Sequence, residues 1–410
     1  MALSDSVMNL SEAKIHTNWC EIDLSQLSRN VRYFKDLIGP SRILAIPVKA
    51  NGYGHGSVLA ANAFLNGGAD WLCVHSLQEA QILRDAQITA PIHLVGPVPT
   101  SAIKTLAALD VSMVVYTHET VDALLATGVR VRAHLKVETG NNRQGVDGPT
   151  CIELAQRIQA SSNIILEGLC THFSDIEDTT DHGFARLQIA RFESVVDQLL
   201  DIGVTIKLRH VANTAATLLW SDLPYELVRV GIGAYGLWPS KETHIATLIA
   251  GNSVPNLLPA LSWKTHIAQV KQVDEGEYVG YGRTFRTTHP SRIAVLPVGY
   301  FDGYDRKASN RGFVLCRGKR APVVGRVCMN MKMIDVTHIE DACVGDEIVL
   351  MGRQGSECVF AEDMAAWTGT INYEVISRIG SHVPRVGLEN ISPQTVDQAP
   401  YRLPNRSPDS

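Results

Sequence analysis

The first 240 residues carry one unit eight times over: a short apolar, β-branched run followed by a stretch of helical spacing. The runs fall at 42–48, 70–75, 91–95, 111–116, 131–137, 164–171, 207–211 and 226–230. Most are continuously apolar, not alternating, as strands buried on both faces must be. Between them, residues 184–200 set Phe184, Leu187, Phe192, Val195, Val196 and Leu199 on one helical face with charges opposite. Residues 77–86 are a shorter example. Eight strand–helix units is the number that closes a parallel barrel. The rival, a doubly wound open sheet, would favour a glycine-rich dinucleotide fingerprint after its first strand, and none stands there. The reading is therefore α/β: a (β/α)8 TIM barrel over residues 19–250, followed by something different.

After about residue 239 the texture changes. Gly251-Asn252, Pro255 and Pro259 signal a linker. Alternating runs follow at 261–273, 292–297, 312–316, 322–327, 333–336 and 347–350, separated by Gly and Asp. They predict a mainly antiparallel β domain over 251–390, with a helix at 361–367 and a strand near 19–24 as a candidate to pair with it. Residues 1–18 read as an N-terminal extension and 391–410, rich in Pro, Ser and Asn, as a flexible tail. A chain of 410 residues exceeds what one core usually holds, which agrees with two domains. Hydrophobic residues at 45% exclude a disordered chain, and a net charge of -5 gives a nucleic acid nothing to bind. The opening stretch has no long apolar run, so neither a secretory signal nor a membrane anchor is expected. Eight cysteines are scattered without a C-x-x-C pair, which predicts reduced thiols in a cytoplasmic protein and no metal site.

A parallel βα barrel does its chemistry where strands end and βα loops begin. Five strand ends here carry polar groups straight after an apolar run: 47–56, Lys136 with 139–143, 171–174, 210–214 and 229–233. Lys49 is the foremost. A lysine at the end of an apolar strand is partly desolvated, which favours the neutral, nucleophilic amine that attacks carbonyl compounds. A lysine whose ammonium snorkels to the rim fits the same position. Its company decides. Gly231-Ile232-Gly233 lets backbone N–H groups approach a phosphate, Thr214 and Tyr53 add hydroxyls, and Arg229 stands nearby. An amine, a phosphate cradle and a guanidinium for a ring nitrogen describe a pocket for pyridoxal 5'-phosphate.

These residues resemble the alanine racemases, pyridoxal-phosphate enzymes of fold type III. The likeness runs through Pro47-Val-Lys-Ala-Asn-Gly-Tyr-Gly-His-Gly56, Lys136-Val-Glu-Thr-Gly140, Arg143, Thr171-His-Phe173, His210-Val-Ala-Asn-Thr214, Val228-Arg-Val-Gly-Ile232, Gly280-Tyr-Gly-Arg-Thr-Phe285, Gly299-Tyr300 and Val327-Cys-Met329. It covers about residues 17–387 in order. The resemblance implies that Lys49 holds the cofactor and is one acid/base, and that Tyr281 is the other, reaching the partner subunit's site in a homodimer. Tyr53, Thr214, Gly231 and Ile232 match phosphate contacts, with Asn213 as a further cofactor contact. Arg229 matches the partner of the pyridine nitrogen and His172 the link between Tyr281 and Arg229. Arg143 matches the arginine near the cofactor's phenolic oxygen and the substrate carboxylate, and Lys136 a lysine, often carbamylated, that orients it. Met329 would offer its backbone N–H to that carboxylate. Tyr300 would line the entrance or pack; Met329 and Cys328 also fit plain β-domain core; His55 and His210 would pack or hydrogen-bond near the site.

Such a set makes sense for racemisation, which removes a proton from one face of a carbon and delivers one to the other, a task for two bases. A guanidinium at the ring nitrogen leaves the pyridine largely unprotonated. That argues against a decarboxylase of the same fold, and Tyr281 argues against a non-catalytic pyridoxal carrier. Three departures from the family pattern are Gly52, the pair Asn141-Asn142, and Asn330. A fourth matters more: Ser381 stands where a tyrosine usually crowds the substrate side chain. A pocket with spare volume rejects larger side chains poorly. Alanine is the expected substrate, with a broader specificity reaching serine or larger side chains as the alternative. No nucleic-acid or membrane partner is expected.

Overall fold

A computed structural model describes residues 9–250 and 257–389. Residues 1–8 of the expected extension, the 251–252 turn with Pro255, and the 391–410 tail lie outside them. The described residues divide into two compact units, one drawn from 26–52, 57–250 and 257–258, the other from 9–25, 53–56 and 259–389.

Strand β1 (Asn18–Asp23) belongs to the second unit; the eight strands of the first are β2 (Ile43–Pro47), β3 (Trp71–Val74), β4 (Ile92–Leu94), β5 (Val111–Val115), β6 (Val131–Lys136), β7 (Ile164–Cys170), β8 (Leu208–His210) and β9 (Leu227–Arg229). Each lies within one of the eight apolar runs. They form one sheet in the order β8-β7-β6-β5-β4-β3-β2-β9, every pair parallel, alternating with helices. The outermost strands meet through other bonds: Arg229 N–H donates to Ala212 O at 3.1 Å and Arg209 N–H to Glu226 Oε2 at 2.8 Å. The result is a nearly closed TIM-like barrel. Continuous apolar runs arise because both strand faces are covered; all five residues of β5 are buried.

The helix predicted at 184–200 spans Gly183–Asp201, and Phe192, Val195, Val196 and Leu199 of the predicted stripe are buried, but its first turns differ. Phe184 and Leu187 are 41% and 43% exposed, while Gln188 is fully buried. Gln188 earns that place through polar partners: its Nε2 donates to Thr139 Oγ1 and His172 O, each at 3.2 Å, and its Oε1 accepts from Ser174 N–H at 3.0 Å. Those bonds let a polar side chain share the buried face with Phe192, Val195, Val196 and Leu199.

The second unit is a β structure built from β10 (Leu261–His266), β11 (Gln269–Val273), β12 (Tyr278–Val279), β13 (Phe285–Arg286), β14 (Ser291–Leu296), β15 (Phe313–Cys316), β16 (Lys319–Val324), β17 (Lys332–Asp335), β18 (Glu347–Gln354), β19 (Glu357–Val359) and β20 (Arg385–Leu388). The main sheet runs β11-β14-β17-β16-β15-β18-β10-β1-β20, antiparallel except for the β1–β20 pair. β1 pairs with β10 in the register Asn18↔Thr265. The single run expected over 261–273 is two strands, because the chain changes partner between them: β10 pairs with β18 and β11 with β14. Among the described residues no helix is long and apolar enough to cross a membrane.

Candidate active site

Five C-terminal strand ends of the barrel carry the predicted rim residues, and the first of these ends is strained. Val48 N–H donates to Cys73 O at 2.8 Å, Lys49 follows, and then Ala50, Asn51, Gly52 and Tyr53 all have positive φ (53°, 54°, 58° and 49°). A left-handed turn costs about 1–2 kcal/mol for each residue with a Cβ. Local bonds hold it: Ala50 N–H donates to Glu79 Oε1 at 2.7 Å, Gly52 N–H to Val48 O at 2.8 Å, and Ser57 N–H to Asn51 Oδ1 at 3.1 Å. Glu79 is itself fixed by a capping box with Ser76 at the start of helix Leu77–Asp85. Strain kept by over-determined surroundings is characteristic of functional loops.

Around Lys49 the rim is cationic. Burial, then the charge of Arg143, holds the Lys49 amine below the usual lysine range. Lys136, at the end of β6, is lowered by burial and by Arg229 and Arg143, against an opposing pull from Cys170. Its Nζ donates to Gln144 Oε1 at 3.3 Å, and Gln144 Nε2 to Tyr116 Oη at 3.1 Å. Arg143 is exposed on the loop between β6 and helix Gly148–Gln159. His172, just past β7, is held well below the ordinary imidazole value by burial and by Arg229, Lys136, Arg143 and Lys49 in turn, so the ring is neutral at pH 7. Those mutual charge effects show that the barrel brings Lys49, Lys136, Arg143, His172 and Arg229 together.

Arg229, at the end of β9, is the anchored member. Its guanidinium donates to Thr171 O at 2.8 Å, His210 O at 3.0 Å and Val211 O at 3.4 Å, and it also donates to His210 Nδ1. Beside it, Asn213 caps helix Thr214–Leu219, with Oδ1 accepting from Ala216 N–H at 2.9 Å and Nδ2 donating to Glu177 Oε1 at 3.0 Å. Thr214 Oγ1 accepts from Gly231 N–H at 3.0 Å, and Ile232 is buried next to it. Gly233 has a packing reason: a Cβ there would lie 2.6 Å from Phe34 Cζ and 2.7 Å from Thr214 Cγ2.

The other predicted residues belong to the second unit. Tyr281 follows β12, 72% exposed, between Gly280 and Gly282 with φ of 75° and 71°. Tyr281, Tyr278, Tyr300, Met329 and Met331 line an open groove of about 950 Å³. Tyr300 N–H donates to Cys328 O at 3.0 Å, and a Cβ on Gly299 would sit 2.2 Å from that oxygen, so the two loops lie backbone to backbone. Met329 is 55% exposed and is therefore no core residue. Tyr53 and Tyr373 have ring centroids 6.4 Å apart. Ser381 is exposed on a loop that Arg385 organises, with Nη2 donating to Ile379 O at 2.9 Å and Nε to Gly54 O at 3.0 Å.

Residues 22–239 match the family model described as alanine racemase, N-terminal domain, and residues 260–387 that of alanine racemase, C-terminal domain. The chain belongs to the alanine racemase family. Alanine racemase from Leptospira interrogans serogroup Icterohaemorrhagiae serovar copenhageni is 36% identical over 91% of this chain and 96% of the relative. That from Desulfovibrio desulfuricans is 40% identical over 90% and 98%. Among solved structures, alanine racemase from Bacillus anthracis with bound L-Ala-P superposes with a TM-score of 0.85 at 35% identity, covering 92% of this chain and 96% of that one. Alanine racemase from the D-cycloserine producer Streptomyces lavendulae gives 0.83 at 34%, covering 91% and 97%. Membership makes the chain an amino-acid racemase, an isomerase.

For this family member, sequence reasoning missed the supports of the rim. Glu79 was legible as the fourth residue of a Ser-x-x-Glu capping box. Arg385, four residues past Ser381, had no role in the sequence reading. Glu167 and His134, below the rim, gave no signal in any linear pattern.

Proposed function

We propose that the chain interconverts L- and D-alanine with pyridoxal 5'-phosphate held at Lys49, using Lys49 and Tyr281 as bases on opposite faces. In this reading residues 19–250 form the cofactor-binding domain, and 251–390 supply Tyr281 to the site of the neighbouring subunit in a homodimer. The residues present fit the cofactor. The amine of Lys49 is half-buried with its proton affinity lowered, the Thr214 hydroxyl, whose oxygen accepts from Gly231 N–H, can turn its own proton to a phosphate beside the Ile232 backbone, and Arg229 offers only N–H groups to a ring nitrogen. When bound, the group supplies an aldehyde for a substrate amine and an electron-withdrawing ring that acidifies the α-hydrogen. Everything else falls to the chain. Tyr53 adds a phosphate contact and Asn213 holds the helix start. Arg143, oriented by Lys136, and the Met329 backbone N–H orient the substrate carboxylate. Neutral His172 supports Tyr281, because an unaided phenol, with an ordinary pKa of about 10, is a poor base at neutral pH. Tyr300 lines the entrance.

The observation that carries this reading is the cationic rim, in which a lysine amine of lowered proton affinity sits with a guanidinium locked by backbone carbonyls. Dimerisation is supported by the exposed groove of Tyr278, Tyr281, Tyr300, Met329 and Met331, an apolar face of the sort that marks an interface. All eight cysteines are free, which suits a cytoplasmic setting. Ser381 favours a second reading: a side-chain pocket loose enough to accept serine. The test is to incubate the purified enzyme with single L-amino acids and resolve enantiomers by chiral chromatography, with borohydride reduction and mass spectrometry at Lys49. Alanine racemisation and a Lys49 adduct are expected; absence of both overturns the proposal. Serine turnover within roughly 100-fold of alanine would mark the broader specificity.

A further inference from the structure

Below the rim, β4, β6 and β8 each direct a histidine into the barrel: His93, His134 and His210 are 2%, 0% and 1% exposed. Their nitrogens lie within 4.8 Å of one another, as three ligands of one metal ion might be arranged, yet the details fit a hydrogen-bonded chain instead. His134 Nδ1 and His210 Nε2 are 2.8 Å apart. Two nitrogens about 2.0–2.1 Å from a tetrahedral ion stand roughly 3.3 Å apart. The other nitrogen of His210 already faces the Arg229 guanidinium.

The proton order along this chain follows from one fact: a guanidinium has donors and no acceptor. His210 Nδ1 must therefore accept from Arg229 and carry no proton. Its proton sits on Nε2 and points at His134 Nδ1, which must accept in turn. The His134 proton is then on Nε2, 3.0 Å from Glu167 Oε2 on β7. Only this arrangement makes every bond, and it leaves one cation, two neutral rings and one anion in series. Burial, with Arg229 next in weight for His210, keeps both rings below the ordinary imidazole value. The titratable and charged groups facing the two rings are Arg229, Glu167, Arg132, Lys136 and His93.

The backbone is shaped for this chain. The β6–β7 ladder passes from Ala133↔Leu166 to His134↔Gly168, so Glu167 is the extra residue of a β-bulge. Bulges re-aim side chains next to active sites. Gly168 makes room for the ring: a Cβ there would lie 2.3 Å from His134 Nδ1. Glu167, with a side chain 13% exposed, is also 3.7 Å from Arg132 Nε. We propose that Glu167, His134 and Gly168 act as a positioning set that locks His210 as an acceptor and so holds Arg229 as a fixed donor toward the reacting ring. That ring belongs to the function proposed above, and the proposal rests on it for its consequence, though not for the proton order.

The experiment reads the ring nitrogens of 15N-histidine-labelled, cofactor-free enzyme by NMR across neutral pH. His134 and His210 should each show a protonated Nε2 and an unprotonated Nδ1; a cationic ring or a protonated Nδ1 at either position overturns the proposal. Glu167→Leu removes the terminal acceptor. It should shift the His134 signals and lower kcat for alanine roughly 10-fold, with KM changed less than about 2-fold. Glu167→Gln still accepts at Oε1 and should restore both readouts. Gly168→Ala keeps every polar group and should give the same loss as Glu167→Leu by displacing the ring. Wild-type ring signals and kcat in Glu167→Leu also sink the idea. Borohydride reduction at Lys49 reports separately: no adduct in the wild type defeats the proposed function, while the NMR signals still decide the proton order.

Discussion

The two units each bury a cation, and they treat it in opposite ways. Arg229 in the barrel is wrapped by the carbonyls of Thr171, His210 and Val211 and by the His210 ring. Lys332 in the β unit is 0% exposed, and among the described residues its Nζ has no hydrogen-bond partner; it faces the Tyr304 ring, 3.1 Å from the centroid. A guanidinium with four acceptors keeps its charge under burial, whereas burial lowers the proton affinity of an amine without them. The same contrast separates the two candidate bases. Lys49 lies half-buried in a rigid cationic rim, and Tyr281 is exposed at the tip of a short hairpin. The barrel half holds its polar groups through its own backbone; the β half leaves Tyr281 exposed.

The largest effect should come from the rim. If Lys49 is both the cofactor's attachment and one base, as proposed, Lys49→Ala should lower racemisation at least about 10³-fold and abolish the borohydride adduct. Retained turnover would place the chemistry elsewhere and break the comparison. If Tyr281 is the second base, as proposed, Tyr281→Phe deletes one proton transfer and no anchor, and it should cost roughly 10²–10³-fold while the adduct persists. It should also leave the urea midpoint unchanged, because an exposed phenol supports no core. Mixing the two inactive variants sharpens the contrast further. If Tyr281 serves the neighbouring subunit, mixed dimers contain one intact site and activity returns; no recovery would confine each site to a single chain.

The barrel was legible because a strand covered on both faces writes a continuous apolar run, and each of the eight runs holds a strand. The rim was legible for the complementary reason: Lys49, His172 and Arg229 interrupt those runs at their ends, where a polar residue has no packing excuse. What stayed hidden depends on register or on polar burial. Glu167 reads as a surface charge in the middle of a strand, and only the slip in the β6–β7 ladder turns it toward His134. Phe184 and Leu187 fit an apolar stripe whose other four residues are buried, yet at that end of the helix it is Gln188, held by three hydrogen bonds, that turns inward. Helix Asn372–Ser377 is six residues long, too short to establish a period.

A milder change tests the cage around Arg229. Arg229→Lys keeps the charge but loses the fork that reaches several acceptors at once. Unfolding in urea should show a loss of about 2–3 kcal/mol, and kcat/KM should drop roughly 10–100-fold, because buried carbonyls and His210 Nδ1 lose donors. Equal stability would mean that the acceptors matter little and that the two buried cations differ only in name.

The smallest effect carries the opposite sign. Burial pushes the Lys332 amine well below its usual range, with Asp302 opposing weakly. Asp302 is already committed: it accepts from Asn18 Nδ2 at 3.3 Å, His382 Nε2 at 3.0 Å and Gly299 N–H at 2.9 Å. Between the lowered folded value and the unfolded one, the unfolded chain binds a proton at Lys332 that the folded chain lacks, so in that window this residue makes stability rise with pH. The cost is present at pH 7 and fades as pH climbs toward the unfolded lysine value of about 10.4. Lys332→Met fills similar volume with a flexible thioether and has no proton to lose. Urea midpoints should show the variant about 1–3 kcal/mol more stable at pH 7. The gap should narrow as pH rises, by at most about 1.4 kcal/mol per pH unit for one proton. A methionine variant no more stable than wild type, with the same dependence on pH, would show that the amine keeps its proton against the Tyr304 ring, and the two buried cations would then be alike after all.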